Sequence, residues 1–437
     1  MTDHTIFQSR RVYYTSLGCK LNFAEMSSLG RQLGEAGYTS IKAGQVPDVC
    51  VVNTCSVTDT ADKKCRQAIN RLVRHYPNAY VIVTGCYAQL KPSEVASLPG
   101  VDLVLGANEK FDVVDYLEGR KQAPENRMAI SRTGAINTFQ SAFSKDDRTR
   151  YFLKVQDGCD YCCSYCTIPY ARGRSRNGSI ASLVSQAKQI AAEGGQEIVL
   201  SGVNIGDFGK TTHEAFIDLL GALDDVEAIK RFRISSVEPN LLTEAVIEFV
   251  AHSKRFMPHF HIPLQAGSDT LLQLMKRRYD CALFASRIHT IRSLMPNAFI
   301  GVDVIVGSRG ETPDLFEETY RFLEGLDVTQ LHVFSYSERP GTPALTINPV
   351  VSPADKKVRH ERLQALSDAK WKAFYERHVG ESAQVLFEHA TREGRMNGFT
   401  SNYIRVETAY QPEWVNRLVP MKLGAFSTDG TALMACL

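Results

Sequence analysis

The stretch Gly158-Cys159-Asp160-Tyr161-Cys162-Cys163-Ser164-Tyr165-Cys166 concentrates the reactive side chains of this sequence. Cys159, Cys163 and Cys166 stand at C-x3-C-x2-C spacing. Three thiolates on one tight loop can hold three irons of a [4Fe–4S] cluster and leave the fourth iron open to a further ligand. A zinc site would ask for four protein ligands, and no matched second pair follows nearby. Cys162 makes a competing zinc-type or redox-type pair with Cys159 and is read as a bystander. Cys19, Cys55 and Cys86 each follow a β-rich run, in Leu17-Gly18-Cys19, Asn53-Thr54-Cys55 and Thr84-Gly85-Cys86. Loops after parallel strands gather along one edge of a sheet, so these three are expected to converge on a second three-thiolate site. Cys50 falls inside a strand pattern and Cys65 inside a helical one, where structural burial is the better expectation.

The elements that must position these cysteines follow from periodicity. From Arg11 to about Leu117, β-rich runs (Val12–Leu17, Val49–Asn53, Tyr80–Thr84, Leu103–Leu105) alternate with helical patterns over Phe23–Ala36 and Thr60–Tyr76. That beat predicts a small parallel α/β domain over residues 10–120. Residues 121–150 lose periodicity and carry scattered basic residues, among them Arg127, Arg132, Lys145 and Arg148; they read as a linker over the surface. Residues 151–378 resume the strand-then-helix beat, with strands expected at Phe152–Gln156, Ile198–Ser201, Phe232–Ser235, His259–Ile262, Ile300–Val306 and Gln330–Ser335. Six such units suit a partial (β/α)6 barrel with its chemistry at the C-terminal ends of the strands. Residues 379–437 read as short strands punctuated by turn signals such as Asn397-Gly398 and Asp429-Gly430, hence a small β-barrel. The fold class is therefore α/β with an appended β-barrel.

Composition sets the background. With 437 residues, 44% hydrophobic and 22% charged, the chain is long enough for several buried cores. The net charge of +2 neither demands nor excludes a nucleic-acid partner. The start Met1-Thr2-Asp3-His4 lacks the basic start and apolar stretch of a signal peptide, and no apolar run is long enough to span a bilayer. A cytoplasmic protein without membrane attachment is the expectation. Eleven cysteines in such a chain point to metal ligands or reactive thiols rather than disulfides.

The cysteine loop and its sequel Tyr165-Cys166-Thr167-Ile168-Pro169-Tyr170-Ala171-Arg172-Gly173-Arg174 resemble the radical S-adenosylmethionine (SAM) core of the methylthiotransferase family. Leu17-Gly18-Cys19-Lys20-Leu21-Asn22, Val52-Asn53-Thr54-Cys55-Ser56-Val57-Thr58 and Thr84-Gly85-Cys86-Tyr87-Ala88-Gln89 resemble the cluster-binding segments of its N-terminal domain. The likeness covers nearly the whole chain, from Arg11 onward, and implies two [4Fe–4S] clusters with SAM as both radical source and methyl donor. It places Tyr165 near the adenine of SAM. It also assigns SAM and substrate contacts to the strand-end segments Ser201-Gly202-Val203-Asn204, Ser236-Val237-Glu238 and His261-Ile262-Pro263-Leu264-Gln265, so that Ser201, Gly202, Asn204, Ser236, Glu238 and Gln265 become cofactor-binding candidates. His261 reads equally well as a satisfied core histidine. Asp303, in Gly301-Val302-Asp303, points inward or outward according to a register that the sequence leaves open. The family commonly has an apolar residue and proline where this chain carries Ser308-Arg309.

Arg172, Arg174 and Arg176 are candidates for phosphate or carboxylate contact, with plain exposed charge as the alternative. The last region resembles the TRAM barrel that docks tRNA in this family. Phe399 and Tyr403 there are candidates for stacking on unpaired bases, with barrel packing as the alternative. Within the family the substrates are isopentenyl-adenosine in tRNA, threonylcarbamoyl-adenosine in tRNA, or a ribosomal-protein aspartate. Lys20 after Cys19, Val57-Thr58 with Ala61-Asp62, and Tyr336–Thr342 look most like the bacterial threonylcarbamoyl-adenosine branch. The resemblance thus implies a monomeric enzyme that methylthiolates adenosine 37 in a tRNA anticodon loop, with flavodoxin or ferredoxin as electron donor. A non-catalytic, metal-dependent RNA-binding protein is the alternative from another class.

Overall fold

The computed structural model describes residues 9–144, 149–390 and 394–436; Met1 to His4, Lys145 and Arg148 lie outside the described residues. The chain divides into two compact units. One comprises residues 9–144, 152–178 and 337–342; the other comprises residues 149–151, 179–336 and 343–436.

The first unit is built on a parallel sheet of β1 (Arg11–Ser16), β2 (Thr39–Ser40), β3 (Val49–Thr54), β4 (Tyr80–Gly85), β5 (Leu103–Leu105) and β6 (Met128–Ala129), in the order β2-β1-β3-β4-β5-β6. Central β3 is buried along its whole length, and its alternate residues face different helices. Val49 and Val51 pack with Met26, Leu29 and Leu33 of the helix Lys20–Glu35. Cys50 and Val52 pack with Cys65, Ile69 and Leu72 of the helix Asp59–His75. That second helix starts where the Thr58 hydroxyl accepts the Ala61 N–H at 3.1 Å.

The stretch read as a linker supplies β6 and then β7 (Ala142–Phe143), which pairs antiparallel with the end of β8 (Arg150–Lys154). Two-residue strands are too short to show a period, which is why the sequence hides them. A short antiparallel pair, β9 (Gln156–Asp157) and β10 (Arg176–Asn177), brackets the cysteine loop.

In the second unit β11 (Glu197–Ser201) runs parallel to β12 (Arg231–Ile234), and β13 (His259–Gln265), β14 (Phe299–Val306) and β15 (Gln330–Ser335) form a parallel trio. Bridges Phe232↔Phe256 and Ser236↔His261 link the two sets. One face of the trio packs on helices: Ile262, Val302, Val304, Val306 and Leu331 are buried, and Ser367 of the helix Pro353–Arg377 bonds the main chain of Leu331.

The chain ends in a closed barrel of β16 (Ser382–Ala390), β17 (Arg395–Phe399), β18 (Arg405–Ala409), β19 (Leu418–Phe426) and β20 (Leu433–Cys436). Asn397-Gly398, read from sequence as a turn, lies within β17, because pairing with Val406 and Glu407 of β18 overrides the local turn preference. No helix of the described residues is long and apolar enough to cross a membrane.

Candidate active site

The two cysteine trios both belong to the first unit. β1, β3 and β4 are neighbours in register, Ser16 beside Asn53 and Asn53 beside Thr84. Cys19, Cys55 and Cys86 therefore emerge along one edge of the sheet. Cys19 is the N-cap residue of the helix Lys20–Glu35, at the end that carries partial positive charge. Gly18 holds a left-handed φ of 111°, and a Cβ there would meet Cys55 Cβ at 2.7 Å and Sγ at 3.1 Å, so only glycine allows the Cys19 loop to lie against Cys55. Asn22 ties the loops together: its amide donates to Leu17 O at 2.8 Å and Thr54 O at 3.1 Å. Cys65 supports from behind, accepting the Cys55 N–H at 3.4 Å. Burial pushes the Cys55 thiol up to about 12, and the nearby Cys86 and Cys19 push it the same way. Burial also raises Cys86, against the pull of the Arg172 charge. In the cluster-free chain these thiols hold their protons, which a metal must displace.

On the loop after β8, Cys163 is buried, Cys159 and Cys166 are half-buried, and Cys162 is exposed. Main-chain N–H groups approach two of the sulfurs, Tyr161 N to Cys159 Sγ at 3.3 Å and Ile168 N to Cys166 Sγ at 3.4 Å. Such donors suit sulfurs that carry negative charge. The loop is closed by Cys159 N to Gly173 O at 3.0 Å and Ser175 N to Asp160 Oδ1 at 3.1 Å.

Thiolates on one zinc stand roughly 4 Å apart, given Zn–S bonds of about 2.3 Å. Among the described residues the trio of ligand atoms within 4.8 Å of one another is His261, Asp303 and His332, not a cysteine set. An iron–sulfur cube takes one thiolate per iron and so spaces its thiolates more widely than a single zinc does.

Between the trios lies a buried ion network that the sequence did not disclose. Glu25 accepts Lys110 Nζ at 2.6 Å, Lys154 Nζ at 2.9 Å and Arg172 Nη1 at 2.9 Å. Asp157 accepts Lys154 Nζ at 2.8 Å, Arg172 Nη1 at 3.0 Å and Arg176 Nη2 at 2.9 Å. Burial opposes both carboxylates' charge, but the cations outweigh it: Arg172, Lys110 and Lys154 hold Glu25 well below its usual range, and Lys154, Arg172 and Arg176 do the same for Asp157. Arg172 also donates to Asn22 Oδ1 at 2.7 Å, the residue that ties the Cys19 and Cys55 loops.

Arg172 is thus 3% exposed and turned inward onto two carboxylates of the chain itself, which sets aside the exposed-charge alternative; Arg174 is exposed. Glu25 had a readable signal, an acid on the same helix face as Leu21, Met26, Leu29 and Leu33. Behind Cys55, Asp62 takes Ser56 Oγ at 2.6 Å, Arg339 Nη2 at 3.0 Å and Lys91 Nζ at 3.0 Å, joining the Ala61-Asp62 and Tyr336–Thr342 segments.

In the second unit the remaining candidates sit at strand ends. Ser201 is buried at the end of β11 and Asn204 just after it, Gly202 is half-buried, and Ser236 bridges to His261. Glu238 pairs with Arg277; burial raises its carboxyl, partly offset by that arginine, and Asp303 raises it further. Gln265 ends β13 at a left-handed φ of 72°, a conformation that non-glycine residues adopt rarely and often at functional sites.

Phe399 and Tyr403 take another role. Their rings stack on each other at 4.8 Å, Tyr403 lies 4.4 Å from the His259 ring, and Arg150 sits over both rings. With their faces occupied they pack between the C-terminal barrel and the strands, as in the packing reading of these residues rather than the base-stacking one.

Comparison with known proteins agrees with this geometry. Residues 11–106 match the model of the Uncharacterized protein family UPF0004, and residues 153–323 match that of the Radical SAM superfamily. A threonylcarbamoyladenosine tRNA methylthiotransferase MtaB from Bacillus subtilis is 37% identical over 94% of this chain and 93% of its own. A protein of the same name from Aquifex aeolicus is 34% identical over 91% and 96%. A solved structure of the radical SAM methyltransferase TsrM from Kitasatospora setae shares the fold, with TM-score 0.59 and 15% identity, covering 98% of this chain and 85% of that one. The chain belongs to the radical-SAM tRNA methylthiotransferase family, in its MtaB-type branch.

Proposed function

We propose that this protein converts N6-threonylcarbamoyladenosine at position 37 of tRNA to its 2-methylthio derivative, as a cytoplasmic monomer served by flavodoxin or ferredoxin. One observation carries the reading: two separate three-cysteine sites share one unit in a chain whose MtaB-type relatives match it nearly end to end. Cys159, Cys163 and Cys166 hold the cluster that binds SAM, and Cys19, Cys55 and Cys86 hold the auxiliary cluster. When bound, these groups supply one-electron cleavage of SAM, the sulfur and the methyl group.

The chain's own contribution is placement and charge. Asn22 keeps the Cys19 and Cys55 loops abreast. Arg172 brings a buried positive charge beside Cys86, where anionic sulfur must be stabilised. Tyr165, half-buried and next to Cys166 in the chain, is the residue that lines the adenine of SAM in this reading. Exposed Arg174 is left to meet the phosphate backbone of a single-stranded anticodon loop. Nucleoside mass spectrometry of tRNA from a strain deleted for this gene tests the proposal. Loss of 2-methylthio-threonylcarbamoyladenosine with accumulation of its precursor is expected; an unchanged nucleoside profile would refute it.

A further inference from the structure

The trio β13–β14–β15 has one face on helices and one face open. Register puts Asp303 beside Pro263 and His332, and Ile305 beside Phe334. His261, two residues before Pro263, projects to the same side as Asp303 and His332. On that open side His261 Nε2 lies 2.6 Å from Asp303 Oδ1, and the His261 and His332 rings are 5.1 Å apart. Gly301 makes room for the arrangement, since a Cβ there would stand 3.2 Å from His332 Nε2. All three polar side chains are half-buried, enclosed enough to be ordered and open enough to be reached. One step towards the C-terminal strand ends, Ile305 is half-buried and Phe334 is 50% exposed. The open face is thus two-layered, imidazole–carboxylate–imidazole below and an aromatic–aliphatic pair above.

We propose that this face reads the N6 substituent of the target adenosine: Phe334 and Ile305 pack on the base, and His261, Asp303 and His332 hydrogen-bond the threonylcarbamoyl group. The inference rests on the function proposed above and adds how that substrate is told from its neighbours. A threonylcarbamoyl group offers a carbonyl and a carboxylate as acceptors and a hydroxyl and N–H groups as donors. Two imidazoles and a carboxylate can answer both kinds. A dimethylallyl group offers neither and would leave the three side chains covered and without ligand partners, the kind of mismatch by which hydrogen-bonding sites reject analogues most strongly. Phe334 has the exposed ring face that base stacking needs, which Phe399 and Tyr403 lack.

The test uses reconstituted holoenzyme and three tRNAs that differ at position 37, carrying threonylcarbamoyladenosine, dimethylallyladenosine or plain adenosine. For His332→Phe and Asp303→Asn, the preference for the threonylcarbamoyl tRNA over the other two, as a ratio of kcat/KM, is expected to fall at least tenfold, through KM more than kcat. An unchanged ratio in both variants, with activity lowered equally on every tRNA, would overturn the assignment. If a variant turns over none of them, equilibrium dialysis with the free nucleoside threonylcarbamoyladenosine decides. At least tenfold weaker binding than to the parent supports the assignment, and equal binding overturns it. A parent enzyme that turns over the dimethylallyl tRNA but not the threonylcarbamoyl one would instead refute the function on which the inference rests.

Discussion

The two units each bury an ion network with more cations than carboxylates, and they answer the surplus differently. In the second unit Glu197 faces Arg231 and Arg233. The remaining guanidinium N–H groups go to main-chain carbonyls of the C-terminal barrel: Phe399 and Gln384 from Arg231, Ser401 and Thr400 from Arg233. Neutral oxygens suffice there, and the network acts as a joint that docks the barrel. In the first unit Glu25 and Asp157 face Lys110, Lys154, Arg172 and Arg176. Arg172 reaches past them to Asn22 and to the neighbourhood of Cys86 and Cys19. A buried cation beside thiols is costly unless an anion arrives, so the surplus there fits the anionic cluster proposed for Cys19, Cys55 and Cys86. The same residue types thus build a structural joint in one unit and a cofactor-facing charge in the other.

The contrast can be broken at several points. The largest effect is expected from Glu25→Ala, which strips three cations of their shared carboxylate and should cost about 3–5 kcal/mol in denaturant unfolding of the cluster-free protein. Glu197→Ala should cost less, about 1–3 kcal/mol, because Arg231 and Arg233 keep their carbonyl partners. Arg172→Gln should weaken iron retention at the Cys19, Cys55 and Cys86 site about tenfold or more, read by chelator challenge in a Cys159, Cys163 and Cys166 alanine background. Arg233→Gln should leave iron retention alone; if it matched Arg172→Gln, the contrast would be lost.

Acid provides a milder probe. Glu25 and Asp157 are held below their usual range in the folded chain, so their stabilisation is present above the unfolded value of about 4 and is lost as pH falls through the folded values. The parent should therefore lose stability below about pH 4 more steeply than Glu25→Gln, in unfolding curves taken across that range. The smallest effect is expected of Glu388→Gln, whose partly exposed pair with Arg150 should be worth about 0.5–1 kcal/mol.

The strands and both cysteine trios were legible because their signals are local. Val-rich runs fix β3 and β4, and parallel pairing then carries the cysteines that follow to one edge. Arg172 was not legible: its partners Asn22 and Glu25 are about 150 residues away, and nothing near it in sequence says that it turns inward. Residues 152–178 pack with the first unit, while the Radical SAM model runs from 153 to 323 without a break at that boundary. His332 went unremarked because its meaning lies in a register with Asp303 and His261 that strand periodicity alone leaves open. For Phe399 and Tyr403 the sequence left barrel packing and base stacking both open, since an aromatic residue at a seam and one on a binding face look alike there.

The central claim is that both cysteine trios hold clusters, and iron and sulfide analysis of anaerobically reconstituted protein tests it most directly. The parent is compared with the variant in which Cys159, Cys163 and Cys166 are alanine. About eight irons per parent chain and about four in the variant are expected for two four-iron clusters on separate trios. About four in the parent and none in the variant would contradict it, leaving Cys19, Cys55 and Cys86 without a cluster and the proposed reaction without its sulfur-bearing site.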